Sequence, residues 1–347
     1  MSRDVRRMRP MGIADILDET VELYKSSFVV LVGIAAVMYV PSSLLQRYFI
    51  GRFTGFAANA SPSSGPPMAE IFIFMGIMFM SLIYYIVAAP FVTGALTYAI
   101  SERYLGRQVT ILDSFKRILN ISVLGQLLLA ILIQGAAISV PIGILYAAIF
   151  AGAMMVAVAH ATTAVIVFVV VICAIIGLGA MVAAIYLVLR LVLIETSIVV
   201  EMKGIGHALT RSWTLMPGSI LKCFVLVFLA SAVSYLVSAA ATVPFQLWIT
   251  SSAFEGKSPS QILLILNAIL GAISDTILAP VLSIATILLY YDIRVRKEGF
   301  DLELLASELD AKTREVAAWH GQPLPQEQIS VPVTNEQLPP ESESDPQ

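Results

Sequence analysis

Asp275 is the one acid inside an otherwise uncharged apolar run that extends from Ser258 to Tyr291. A carboxylate placed there does one of two things. Either it faces an outer vestibule as a polar group, or it relays protons or a ligand through hydrogen-bonding neighbours. Gln126, Gln134, His160 and Gln246 are the side chains in other apolar runs that could partner it. Asp275 precedes Asp292 by 17 residues. That is about 25 Å of helix, so Asp275 falls near the outer edge of a hydrocarbon layer roughly 30 Å thick. Arg190, in LVLRLVLIE, is the other charge in an apolar context. Its stem is long enough to snorkel to the headgroups, and the alternatives are a buried pair with Glu195 or contact with an anionic lipid. A candidate intramembrane polar site therefore comprises Asp275, His160, Gln134, Gln246 and Arg190.

Other chemistry finds no support in the residue pattern. His160, His207 and His320 are isolated from one another, which excludes metal-ligand spacing, and no GxSxG, P-loop or dinucleotide fingerprint occurs. No catalytic residue, cofactor or metal is expected, and the protein reads as a non-enzyme. The formal net charge of −3 arises with much of the acid in the last residues, so it implies no nucleic-acid partner. Cys173 and Cys223 lie in or beside apolar runs and make no disulfide framework. The N-terminus turns acidic before any apolar stretch, so a cleavable signal peptide is not expected.

The elements that must hold these residues are legible from charge-free spans. Between Arg117 and Arg190 there are 72 residues without Asp, Glu, Lys or Arg, roughly 108 Å of helix and enough for two crossings. The chain is 58% hydrophobic and 13% charged, about half the charged fraction usual for soluble domains. The expected fold is all-α and polytopic. Six transmembrane helices are predicted near 26–46, 71–101, 120–147, 161–190, 220–250 and 263–291, within a membrane domain at 26–295. An amphipathic cytoplasmic helix precedes them at 1–25. A juxtamembrane helix at 296–319 and a disordered, acidic, Pro-rich tail at 320–347 follow.

Eighteen of the 21 Lys and Arg residues fall on one side of this arrangement, leaving Arg47, Arg52 and Lys257 on the other. The positive-inside rule then places both termini in the cytoplasm. Short amphipathic segments recur in register at Ile13 and Leu17, Ile111 and Phe115, and Ile205 and Leu209, with Phe300 continuing the series at offsets of 98, 94 and 95 residues. The implied unit is one interfacial helix followed by a two-helix hairpin, repeated three times in parallel. The first such helix would lay Ile13, Ile16, Leu17, Val21 and Tyr24 into the headgroup boundary. Thr110 and Asp113 predict a capping box at the start of the second.

The segments RPMGIADILDETVELYKSSF, RLVLIETSIVVEMKGIGHALTRSWTLMPGS and LLYYDIRVRKEGFDLELLA resemble the membrane domain fused to some bacterial glycerophosphoryl diester phosphodiesterases, which also occurs alone in six-helix membrane proteins. The resemblance implies a multi-pass protein of a prokaryotic plasma or inner membrane, without the catalytic barrel. The expected function is noncatalytic support of transport, envelope or lipid handling. Membrane lipid is one expected partner, and a protein contact at the cytoplasmic helices and tail is another. The alternative is a secondary transporter or permease with a polar cavity around Asp275.

Overall fold

The computed structural model describes residues 10–59, 68–158, 162–255 and 260–300, together with Leu302, Ala306 and Leu309; the side chains of 46–59, 69–71, 74, 157–158 and 253–254 are outside the description. All regular structure among these residues is helical. In chain order the elements are α1 (Ile13–Asn59), α2 (Met68–Tyr104), α3 (Ile111–Ile118), α4 (Ile121–Val158), α5 (Thr163–Leu191), α6 (Ile194–Glu201), α7 (Ile205–Leu215), α8 (Ile220–Phe254) and α9 (Gln261–Glu298). Six stretches, carried by α1, α2, α4, α5 with α6, α8 and α9, are long and apolar enough to cross a membrane.

Composition explains why these runs are helices. A backbone in hydrocarbon must satisfy every N–H and C=O within its own segment, which only a helix does for a single apolar strand of chain. Pro41, Pro90, Pro141, Pro244 and Pro280 all lie inside long helices, a tolerance seen where neighbouring helices and hydroxyl side chains re-satisfy the freed carbonyls. α5 presents bulky apolar side chains all round, among them Phe168, Val170, Ile175, Leu178 and Val182. Such a helix has lipid as its natural surroundings.

The buried core is concentrated toward the end of the bundle that carries the basic residues. Leu31 and Ile34 of α1, Ala95 and Ile100 of α2, Ile118 of α3, Ile194 and Ile198 of α6, and Leu288, Tyr290 and Tyr291 of α9 are all fully enclosed. Gly94 permits the close approach of α2 to its neighbours: a Cβ there would stand 2.6 Å from Leu127 Cδ1 and 3.2 Å from Ile118 Cγ2. Tyr104 packs on Tyr291 with ring centroids 5.2 Å apart, joining the ends of α2 and α9.

Boundaries differ from expectation at four places. α1 continues as helix to Asn59, thirteen residues past the expected end at 46. α4 runs to Val158, eleven residues past the expected end at 147, because Gly143 and Gly152 open no gap in an otherwise uninterrupted apolar helix. The fourth crossing does not simply stop near 190. It turns at Val192 and Leu193 and continues as α6, whose end is closed by Met202 in the left-handed region at φ 53°. In α9 the helix continues through Arg296 and Lys297 to a left-handed Gly299 cap, whose N–H reaches Val295 O, so the expected boundary at 295/296 falls inside one element. The chain beyond Phe300 forms a separate unit, in which Leu302, Ala306 and Leu309 are helical and exposed. The expected tail at 320–347 lies outside the described residues.

The first amphipathic segment also departs from expectation. α1 is interrupted at Ser27 (φ −122°, ψ 15°), close to the anticipated break after residue 25. The stripe that faces the bundle is Ile16, Thr20 and Leu23, at 0%, 2% and 3% exposure, while Val21 is 50% exposed. Met11 N donates to Asp292 Oδ1 at 2.7 Å and Tyr24 Oη donates to Ile277 O at 2.8 Å, so this segment lies lengthwise against α9. Reading apolar letters alone misplaces the stripe, because Thr20 counts as polar. Its hydroxyl in fact donates to Ile16 O at 2.7 Å, which satisfies the group locally and lets the residue be buried.

Candidate functional site

Two polar constellations are built by this fold, one within the bundle and one at its basic end. In the first, α1, α8 and α9 converge on Asp275. Ser43 Oγ donates to Asp275 Oδ2 at 2.9 Å and Ser238 Oγ lies 3.5 Å from Oδ1. Tyr39 of α1 lies one helical turn before Ser43. Hydroxyl donors are suited to this position, since each stabilises a carboxylate without adding a second charge to an apolar setting.

The three glutamines foreseen as partners of Asp275 are bonded elsewhere. Gln134 Nε2 donates to Leu191 O at 3.0 Å, closing a carbonyl that the end of α5 leaves unsatisfied. Gln246 accepts from Asn267 Nδ2 at 3.1 Å, and Gln126 reaches Ser122 within its own helix. His160 lies outside the described residues. Arg190 makes no ion pair with Glu195. Its Nε donates to Tyr186 Oη at 2.9 Å and its Nη1 to Trp213 O at 2.8 Å. Ser43, Ser238 and Tyr39 escaped the sequence reading because hydroxyl residues are common in membrane helices; only the four-residue spacing of Tyr39 and Ser43 hinted at a shared face.

The basic end carries two ionic clusters. Asp292, 1% exposed, accepts from Met11 N, from Lys222 Nζ of α8 and from Arg296 Nε at 3.0 Å. Lys222 and Arg296 also both donate to Met11 O, at 2.6 and 2.8 Å. One carboxylate thus joins the segment before α1 to α8 and α9. Glu201, at the end of α6, accepts from Arg211 Nε at 2.7 Å and from Tyr290 Oη at 2.5 Å, with His207 Nδ1 3.4 Å away. Arg211 also forks onto both Glu298 oxygens, and Arg294 Nε reaches Glu298 at 3.2 Å while stacking over Phe300 at 3.9 Å. Burial works against the charge of Arg211, but its hydrogen bonds to Glu298 and Glu201 outweigh it and hold the guanidinium pKa above its ordinary value.

The predicted cap of α3 forms. Thr110 accepts from Asp113 N at 3.2 Å and its hydroxyl donates to the Asp113 carboxylate at 2.5 Å. Arg103 Nη2 donates to Val109 O at 2.9 Å and Arg107 pairs with Glu102 at 3.2 Å, whereas Lys116 and Arg117 are exposed. Among the described residues, no group of three or more His, Cys, Asp or Glu is arranged to hold a metal ion.

Six crossing-length apolar helices, fastened at one end by ion pairs, define an all-helical multi-pass membrane protein. Within that class, residues 81–287 match the model of the family described as Domain of unknown function (DUF7847), and the chain belongs to that family. No curated protein and no solved structure matches the chain.

Proposed function

We propose that this protein is a noncatalytic component of a prokaryotic plasma or inner membrane that supports transport, envelope or lipid handling, with its basic end and both termini in the cytoplasm. The observation that carries this reading is the state of the basic end. Asp292, Glu201 and Glu298 are held by cations of the same bundle, which makes that end a rigid platform rather than a set of groups aimed at a substrate. Orientation rests on the distribution of Lys and Arg. A threefold parallel organisation is part of the proposal. It is supported by the start of α1, α3 and α7 at Ile13, Ile111 and Ile205, and by the packing of Ile13, Leu17, Ile111, Phe115, Ile205, Leu209 and Phe300 against one core. Kinship with the membrane domain of the phosphodiesterases is proposed on the three quoted segments, of which the central one lies wholly within residues 81–287. Reporter fusions at both termini together with copurification in mild detergent test the reading. Both reporters on the cytoplasmic face and a protein partner retained through the basic end are the expected results; a terminus outside would refute the orientation.

The polar group around Asp275 favours a second reading, a permease for a small or amphiphilic solute. Three helices meet there through hydroxyls, and Asn267 Oδ1, in α9, is buried without a hydrogen-bond partner among the described residues. On this reading Asp275→Asn abolishes solute uptake in membrane vesicles while leaving the protein folded. Unchanged uptake would leave the supporting role as the better account.

A further inference from the structure

Arg190 faces no carboxylate among the described residues, whereas Lys222, Arg296, Arg211, Arg294 and Arg107 all do. Its contacts are two neutral oxygens and two rings: the guanidinium carbon lies 4.6 Å from the Trp213 centroid and 5.2 Å from the Tyr186 centroid. A guanidinium has five N–H donors. The two hydrogen bonds at Nε and Nη1 use two of them, and Nη2 makes none among the described residues. The same residue sits at the boundary of the most apolar stretch of the chain, where an unneutralised cation is costly.

The surface leading away from Arg190 has a matching shape. Leu178, Val182, Tyr186 and Arg190 are spaced four apart on α5 and therefore form one row along the helix. Leu178 is 60%, Val182 57% and Tyr186 41% exposed. From Leu178 to Arg190 is about 18 Å of helix, close to the depth of one leaflet of a hydrocarbon layer roughly 30 Å thick. An apolar track of leaflet length ending in a cation flanked by Trp and Tyr has the chemistry of a phospholipid site. Aromatic rings of that type favour the headgroup level.

We infer that Arg190 binds the phosphate of an anionic phospholipid, whose acyl chain lies along Tyr186, Val182 and Leu178. The free edge of the guanidinium donates to two phosphate oxygens, the bidentate geometry that distinguishes Arg from Lys. The negative headgroup supplies the counter-charge that the described residues do not.

The test uses full-length protein reconstituted into nanodiscs of equal phosphatidylglycerol and phosphatidylcholine, with lipids retained after release counted by native mass spectrometry. Wild-type protein is expected to retain phosphatidylglycerol preferentially. Arg190→Gln is expected to weaken that retention roughly tenfold, whereas Arg107→Gln, at an exposed and carboxylate-paired position, leaves it unchanged. Arg190→Lys keeps charge and stem but loses the fork, so it should also lose most of the preference; it serves if the Gln variant does not fold. Added inorganic phosphate should not displace the lipid. Equal retention of the two lipids by wild type would overturn the inference, as would undiminished preference in either Arg190 variant. Displacement by inorganic phosphate would identify a site for a free anion instead.

Discussion

Replacing Asp292 with Ala is expected to destabilise the bundle by about 3–5 kcal/mol, the usual consequence of removing one partner from a buried ionic cluster. The carboxylate is 1% exposed and receives Met11 N, Lys222 Nζ and Arg296 Nε. Its loss strands an ammonium that is 18% exposed and leaves a backbone N–H without an acceptor. Arg296 is 47% exposed and regains water, so it adds little. Unfolding in detergent, followed by steric trapping or by thermal aggregation, measures the loss. The double variant Asp292→Leu with Lys222→Met should recover part of it, since exchanging a buried pair for apolar groups is often neutral or favourable. A second readout is local. Met11 should become accessible to protease ahead of global unfolding, because the contacts to Asp292, Lys222 and Arg296 tie that segment to α8 and α9. A variant as stable as the parent, with the segment still protected, would show that apolar packing of Ile16 and Leu23 alone holds α1 in place.

The next largest effect is expected at Arg211. This guanidinium divides its donors between Glu201, whose side chain is 8% exposed, and Glu298 at 27%, and so ties α6, α7 and α9 together. Arg211→Met should cost about 2–3 kcal/mol, in the range for hydrogen bonds to charged groups, because Glu201 would keep Tyr290 and His207 but no Arg. Lysine should not rescue it: an ammonium cannot serve two carboxylates with the geometry of the fork. A double-mutant cycle of Arg211→Met with Glu201→Gln isolates the pair, with an expected coupling of about 1–3 kcal/mol. Coupling near zero would mean that the cluster is screened and that α6 is held by the burial of Ile194 and Ile198.

These two clusters bear on function through rigidity. With the basic end fastened, any change of shape has to occur toward the opposite half of the bundle, where Asp275, Ser43 and Ser238 meet. A scaffold and a permease make different use of that division. The scaffold presents the fastened end to a partner. The permease would use it as the fixed base about which α1, α8 and α9 adjust around Asp275.

Much of the architecture was determined by the amino-acid sequence itself. Lipid offers no hydrogen bonds to a bare backbone and is hostile to charge, so long uncharged apolar runs have to be helices, and the number and approximate limits of the crossings follow from where Asp, Glu, Lys and Arg are absent. Local signals were also sufficient for the Thr110 cap at the start of α3 and for the presence of amphipathic segments around Ile13, Ile111 and Ile205. The partners of Asp275, by contrast, depended on tertiary structure alone. Ser43 is 232 positions away and Ser238 is 37, and whether either faces the carboxylate depends on the rotation of α1 and α8 about their own axes, which composition does not encode. The same holds for Arg190 turning to Trp213 rather than to Glu195. It holds also for the first amphipathic segment lying along α9, a choice made by the burial of Thr20 and the reach of Met11 to Asp292 across the packed ends of three elements.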